Sequence, residues 1–166
     1  VKDDVLYEKI DDSYWKLITS FSLEKSIVVP ETINGLPVKV IGAASFRDVL
    51  SLEEITIPST VKVIEENAFL DCANLKNVLG LAGVEEIRTG AFCWCRLLEN
   101  IVLPSTLEKI EENAFYDCIS IKAFVISDEE NSQCFSTENG VLFNKDKTEL
   151  VYYPAGKTDD FYQIPN

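Results

Sequence analysis

Apolar residues in this chain recur in a fixed frame. Aligned on the dipeptide Ala-Phe, the sequence shows Ala68-Phe69, Ala91-Phe92 and Ala114-Phe115 at steps of 23 residues, with Ser45-Phe46 one step earlier. The same step relates Leu52, Leu75, Leu98 and Ile121; then Ile55, Val78, Ile101 and Phe124; then Ile57, Gly80, Leu103 and Ile126. A period held in several columns at once marks a stacked repeat. A unit this short cannot bury its apolar face alone, so neighbouring units must close it.

Within one unit, Leu52-Glu53-Glu54-Ile55-Thr56-Ile57-Pro58 alternates near its end, which is strand spacing with one face buried. Pro58 stops the ladder, because proline has no amide hydrogen to donate. Pro30 and Pro104 occupy equivalent positions, so each strand should turn a corner there. Val61 and Ile64 then suit a second short extended segment, and Glu65-Glu66-Asn67-Ala68-Phe69 a tight helical turn that delivers Phe inward. Phe46, Phe69, Phe92 and Phe115 should therefore stack as a spine along the array. The third unit departs, with Gly80-Leu81-Ala82-Gly83 in place of the Ile-Pro corner. The expected fold is a β-rich solenoid of 23-residue coils, a right-handed superhelix of short strands joined by short helical or 3-10 turns.

The two ends differ from the middle. Residues 1–26 lack the repeat signature but carry Tyr7, Tyr14, Trp15, Leu17, Ile18 and Phe21, as an N-terminal cap should. Coils occupy 27–126, the first with extra residues at the Asn34-Gly35 turn. In 127–166, the polar run Ser127 to Phe135 reads as a loop leaving the solenoid. A hairpin spacer follows, with Gly140-Val141-Leu142-Phe143 and Glu149-Leu150-Val151-Tyr152-Tyr153 as strands around the turn Asn144 to Thr148. Tyr162-Gln163-Ile164-Pro165 repeats the strand-Pro corner, as the start of a further coil would. The three regions should form one continuous solenoid domain.

Several of these segments together resemble the BspA-like leucine-rich repeats of bacterial cell-surface proteins: Ile57-Pro58-Ser59-Thr60-Val61, Ile64 to Phe69, Ile110 to Phe115, and the pairs Asp71-Cys72 and Asp117-Cys118. Asn139-Gly140-Val141-Leu142-Phe143 followed by Leu150 and Tyr153-Pro154 resembles the spacer such proteins place between repeats. The resemblance implies a leucine-rich-repeat fold, export to the cell surface or medium, attachment to host or microbial surface proteins or glycans, and no catalytic residues to carry over.

Charge and composition agree with a non-enzymatic reading. With 15 basic and 28 acidic residues the net charge is −13, which repels nucleic-acid phosphates and anionic membranes. Histidine is absent, removing the commonest general base and metal ligand. No apolar run of about 20 residues offers a membrane span. Val1 to Ser13 carries no signal-peptide pattern, and the chain starts without Met, as a processed product would.

Three groups of residues invite a chemical reading. Cys72, Cys95 and Cys118 form a column completed by Val49, which predicts buried thiols beside the Phe spine. Adjacent coils are close enough for a disulfide, but parallel side chains disfavour one. Cys93 and Cys134 lie off the column, and Cys93-Trp94-Cys95 lacks zinc-site spacing. The pairs Glu65-Glu66, Glu85-Glu86 and Glu111-Glu112 recur at coil corners and predict surface chemistry. There Glu65, Arg88 and Glu111 share a column, Lys62 stands over Glu85, and Glu86 over Lys109. Asp128-Glu129-Glu130-Asn131 and Asp146 are turn chemistry without calcium-loop spacing. No metal or cofactor is expected.

Alternation puts one further column on the outer face of the main sheet: Val28, Thr56, Leu79, Val102 and Val125, flanked by Ser26, Glu54, Asn77, Asn100 and Ala123. An apolar strip with polar flanks on a repeat surface is the usual form of a protein-binding face. The candidate binding residues are Val28, Glu54, Thr56, Asn77, Leu79, Asn100, Val102 and Val125. The function expected is a non-catalytic, adhesion-like interaction module, or alternatively a structural spacer in a longer surface protein.

Overall fold

The computed structural model describes residues 4–158, with Asn100 described by its backbone alone. The Tyr162 to Pro165 corner lies outside the described residues. The chain opens with an antiparallel hairpin of β1 (Val5–Ile10) and β2 (Tyr14–Ser20). Asp11 and Asp12 turn it with φ of 45° and 53°, the left-handed region that short acidic side chains tolerate. Through β2 this cap joins the solenoid directly, since β2 runs parallel to the fifth strand, pairing Leu17 with Ile41.

Each of the first four coils then contributes one strand to each of two sheets, paired in parallel from coil to coil, and the fifth adds a strand to one of them. In chain order the strands are β3 (Ser26–Val28), β4 (Thr32–Ile33), β5 (Leu36–Ile41), β6 (Glu54–Thr56), β7 (Val63–Ile64), β8 (Asn77–Leu79), β9 (Glu86–Ile87), β10 (Asn100–Leu103), β11 (Lys109–Ile110) and β12 (Val125–Ile126). Five of them form a sheet in the order β12-β10-β8-β6-β3. The other sheet runs β1-β2-β5-β7-β9-β11, with β4 folded back on β5. Asn34 and Gly35, at φ of 50° and 81°, turn β4 into β5 and absorb the extra residues of the first coil. The structure is thus the β-rich repeat solenoid that the 23-residue period predicts.

Between the sheets lies the Phe spine. Phe46, Phe69, Phe92 and Phe115 stack with ring centroids 5.0, 5.0 and 5.4 Å apart and planes within 6° of parallel. All four are buried, together with Leu52, Leu75, Leu98 and Ile121 beneath them.

The segment delivering each Phe corrects the sequence reading, for it is a hydrogen-bonded turn rather than a helix. Asn67 and Asp71 both take positive φ, 54° and 55°, which interrupts the helical path. Their amides, with that of Phe69 between them, donate to Thr89, Cys93 and Ala91 of the next coil at 2.7–3.0 Å. The turn is therefore a third ladder between coils, satisfying backbone groups that a helix would satisfy internally. The left-handed positions recur as Ala44/Asp48, Asn67/Asp71, Gly90/Trp94 and Asn113/Asp117.

The irregular third coil has a steric cause. Its corner is a 3-10 turn, Leu81–Gly83, entered through Gly80 at φ 81°. A Cβ on Gly83 would sit 1.7 Å from the Ser59 carbonyl oxygen, so only glycine passes there.

Beyond the coils, the stretch read as a loop holds more order than predicted. A 3-10 turn at Glu129–Asn131 leads into β13 (Phe135–Glu138), which pairs antiparallel with β14 (Val141–Asn144), itself paired with β15 (Leu150–Tyr152). The Ser-Thr-Glu composition of β13 hides its strand character, although Phe135 and Ser136 are buried. This three-stranded sheet closes the last coil. The Phe124 amide donates to the Gly140 carbonyl at 2.8 Å, and the Tyr152 ring meets Phe115 edge-on at 5.6 Å.

Candidate interaction surface

Strands of about three residues present only two columns of side chains outward. In the five-stranded sheet the register pairs Val28 with Thr56, Thr56 with Leu79, and Val102 with Val125. Asn100 and Asn77 pair in the step between, which sets Val102 beside Leu79. The predicted column is therefore continuous across all five strands. Val28, Leu79, Val102 and Val125 are 69%, 44%, 49% and 50% exposed, and Thr56 is half-buried. Shallow clefts separate neighbouring members. One of about 250 Å³ lies between Leu79 and Val102 against Leu81 and Pro104. Another, of about 330 Å³, lies between Val102 and Val125 beside Glu99 and Lys122.

The second outward column is polar. Glu54 and Asn77 are half-buried, and the Asn77 amide donates to the Glu54 carboxylate at 3.4 Å. Next to it runs a charge ladder that the sequence reading missed. Glu53 sits between Lys25 and Lys76 at 2.7 and 2.9 Å, and Glu99 and Lys122 continue the alternation. Hydrogen bonds from Lys25 and Lys76, reinforced by their charges, hold the Glu53 carboxyl down at about 2. Glu53, Lys76, Glu99 and Lys122 recur at the 23-residue step, so the spacing carries the signal, and only Lys25, 28 residues before Glu53, departs from it.

The other candidate groups are consumed in packing. Cys72, Cys95 and Cys118 are buried and unbridged, and each thiol donates to the carbonyl of the Phe one coil earlier, at 2.9, 3.2 and 3.0 Å. Burial pushes the Cys72 and Cys118 thiols up to about 12, so neither is a thiolate nucleophile at neutral pH. Among the corner carboxylates, Glu65 holds Lys16 at 2.6 Å and Arg88 at 3.6 Å, and accepts the Ala43 amide. Lys62 reaches Glu85 at 2.8 Å, as its register predicts. Lys109 departs from its predicted pairing. It faces Glu86 in the ladder, but its ammonium lies 2.6 Å from Glu111 on its own strand's exit, while Arg88 holds Glu86. Lys109 and the Thr89 hydroxyl and amide together hold Glu111 at about 2. In the acidic run after the coils, Glu129 bonds the Thr137 amide and hydroxyl and fastens the loop to β13. Among the described residues no group of three or more His, Cys, Asp or Glu is placed to hold a metal ion. No described helix is long and apolar enough to cross a membrane.

Sequence comparison assigns this architecture to a class. A family model for the BspA-type leucine-rich repeat region matches residues 16–141 in six copies, and the chain belongs to that family. No curated protein matches it. Among solved structures it is similar to a leucine-rich repeat protein of T. pallidum, with 24% identity over 75% of this chain and 69% of that one, at a TM-score of 0.64. A leucine-rich repeat protein of Bacteroides capillosus matches with 20% identity over 76% and 96% of the two chains, at a TM-score of 0.70. The pneumococcal vaccine antigen PcpA matches with 21% identity over 99% of this chain and 58% of its own, at a TM-score of 0.50. These likenesses show the fold.

Proposed function

We propose that the chain is a non-catalytic interaction module of a secreted or cell-surface protein, binding a protein or glycan partner through the outer face of the five-stranded sheet. The observation that carries this is the continuous outward column Val28, Thr56, Leu79, Val102 and Val125, whose four apolar members are 44–69% exposed. Glu54 and Asn77 flank it and would supply directional hydrogen bonds around an apolar centre, the usual division of labour in an interface, and Asn100 holds the next place in their column. Surface location draws support from the family and from the pneumococcal vaccine antigen, since an antigen of that use must be reachable from outside the cell. The absence of histidine and the burial of the Cys72, Cys95 and Cys118 thiols speak against catalysis.

The test is a panel of purified extracellular matrix proteins and a glycan array, probed with labelled chain and with the Leu79→Glu, Val102→Glu double variant. Binding by the native chain and at least tenfold weaker binding by the variant is expected, because charge placed at a desolvated centre is strongly unfavourable. Equal binding by both would refute this face. No binding by either would favour the spacer reading, in which this segment only displays another domain.

A further inference from the structure

A second feature of the five-stranded sheet is its first edge. Parallel ladders bond through alternate residues. On β3, the Val29 amide donates to the Thr56 carbonyl at 3.0 Å, and the Lys25 carbonyl accepts the Glu54 amide at 2.9 Å. The backbone groups facing β6 are thus those of Lys25, Ile27 and Val29. The amides and carbonyls of Ser26 and Val28 point the other way, and among the described residues none of them meets a partner. At the far end of the same sheet, by contrast, the C-terminal sheet meets the last coil beside β12, the Phe124 amide donating to the Gly140 carbonyl.

That edge opens on a groove of about 530 Å³. Val5, Tyr7 and Ile27 give it an apolar wall, and among the described residues the charged groups lining it, Asp4 and Glu24, are both carboxylates and both exposed. The neighbouring Lys25 ammonium is engaged by Glu53.

We propose that the free edge of β3 accepts an extended lysine- or arginine-bearing strand of a partner protein, added beside Ser26–Val28 with its cations on Asp4 and Glu24. Strand addition supplies affinity through main-chain hydrogen bonds and specificity through alternate side chains. An added strand here also continues the sheet next to Val28. The inference stands on the backbone edge and the groove, and not on the outer strip. A second copy of this chain is the occupant that charge disfavours, because edge-to-edge pairing would bring the Asp4 and Glu24 carboxylates of one copy against those of the other.

The probe is a fluorescein-labelled peptide alternating Lys and Val over about eight residues, long enough to span β3 and both carboxylates. Fluorescence anisotropy with the 166-residue chain at low salt should show saturable binding. The Asp4→Asn, Glu24→Gln double variant should bind about three- to tenfold more weakly, as expected for exposed ion pairs. N-methylation of alternate peptide amides, made in both registers, should weaken binding roughly tenfold or more in one register, since it removes the donors that the edge carbonyls accept. Ser26→Pro, which removes an outward donor while keeping the ladder to β6, should do the same with an unchanged melting curve. The proposal fails if the Lys-Val peptide does not bind, if a Glu-Val peptide binds equally well, or if neither methylated register matters. It also fails if the chain forms a concentration-dependent dimer that Ser26→Pro abolishes, which would give the edge to a second copy.

Discussion

The Phe column and the Val28–Val125 column share the same period and are treated oppositely by the fold. In the first, four identical rings lie buried at near-constant spacing, and three thiols beside them bond the carbonyls of the coil before. In the second, Val, Thr, Leu, Val and Val succeed one another, the apolar four 44–69% exposed and Thr56 half-buried, joined by the strand ladders alone. A repeat array thus holds its architecture in columns where one residue type must recur. It leaves free the columns where only strand geometry matters, and those are the ones available for recognition.

The sharpest way to break this contrast is Phe92→Ala, in the middle of the spine. Loss of a buried ring costs roughly 3–5 kcal/mol, which for a chain of this size lowers Tm by about 10 °C or more. Because each coil rests on its neighbours, hydrogen exchange should show protection lost across adjoining coils and not at one site alone. An unchanged Tm would remove the spine from its place in the account.

Trp94 sharpens where the packed column ends. It holds a left-handed φ of 63° in a column otherwise made of Asp48, Asp71 and Asp117, and it is 42% exposed. A bulky residue in that region is strained by about 1 kcal/mol or more, whereas Asn accepts it. Trp94→Asn should therefore raise Tm by about 2–4 °C, read by differential scanning calorimetry. A fall in Tm would place the indole among the groups that hold the coils together.

The smallest effect belongs to the ladder beside the outer strip. The Glu53 carboxyl is depressed from 4.5 to about 2 by hydrogen bonds from Lys25 and then Lys76. A depressed folded value means stability present above the ordinary carboxylate range and lost as pH falls toward 2. Carboxyl-detected NMR titration should find the Glu53 midpoint near 2, rising on Lys76→Met and in high salt. A midpoint at 4.5 would show that the ladder does not form in solution.

Much of this molecule is readable from residue type and spacing. The period places the Phe spine, the buried thiols, the Pro corners and the outer column, because side-chain burial is what repeats. What escaped the reading is decided by backbone. The left-handed pairs such as Asn67 and Asp71 convert an apparent helical turn into a ladder between coils, and Asn and Asp there look like ordinary polar surface. The β1–β2 hairpin carries its signal in Asp11-Asp12-Ser13 between two alternating runs, outside the 23-residue frame that marks the coils. Strand β13 is masked by Ser136 and Thr137, whose hydroxyls are satisfied by the Asn144 carbonyl and the Glu129 carboxylate. Lys109 chose Glu111 over its register partner because a flexible ammonium takes the carboxylate its rotamers reach.

The spine holds the fold and the outer column does not. The Tm of a Leu79→Thr, Val102→Thr double variant tests this directly, since Thr56 already occupies this column and Thr retains the β-branched fit to a strand. A Tm within about 2 °C of the native chain is expected, as for surface substitutions. A drop of about 10 °C, the scale expected for Phe92→Ala, would mean that the outer column is structural core and that the distinction drawn between the two columns is wrong.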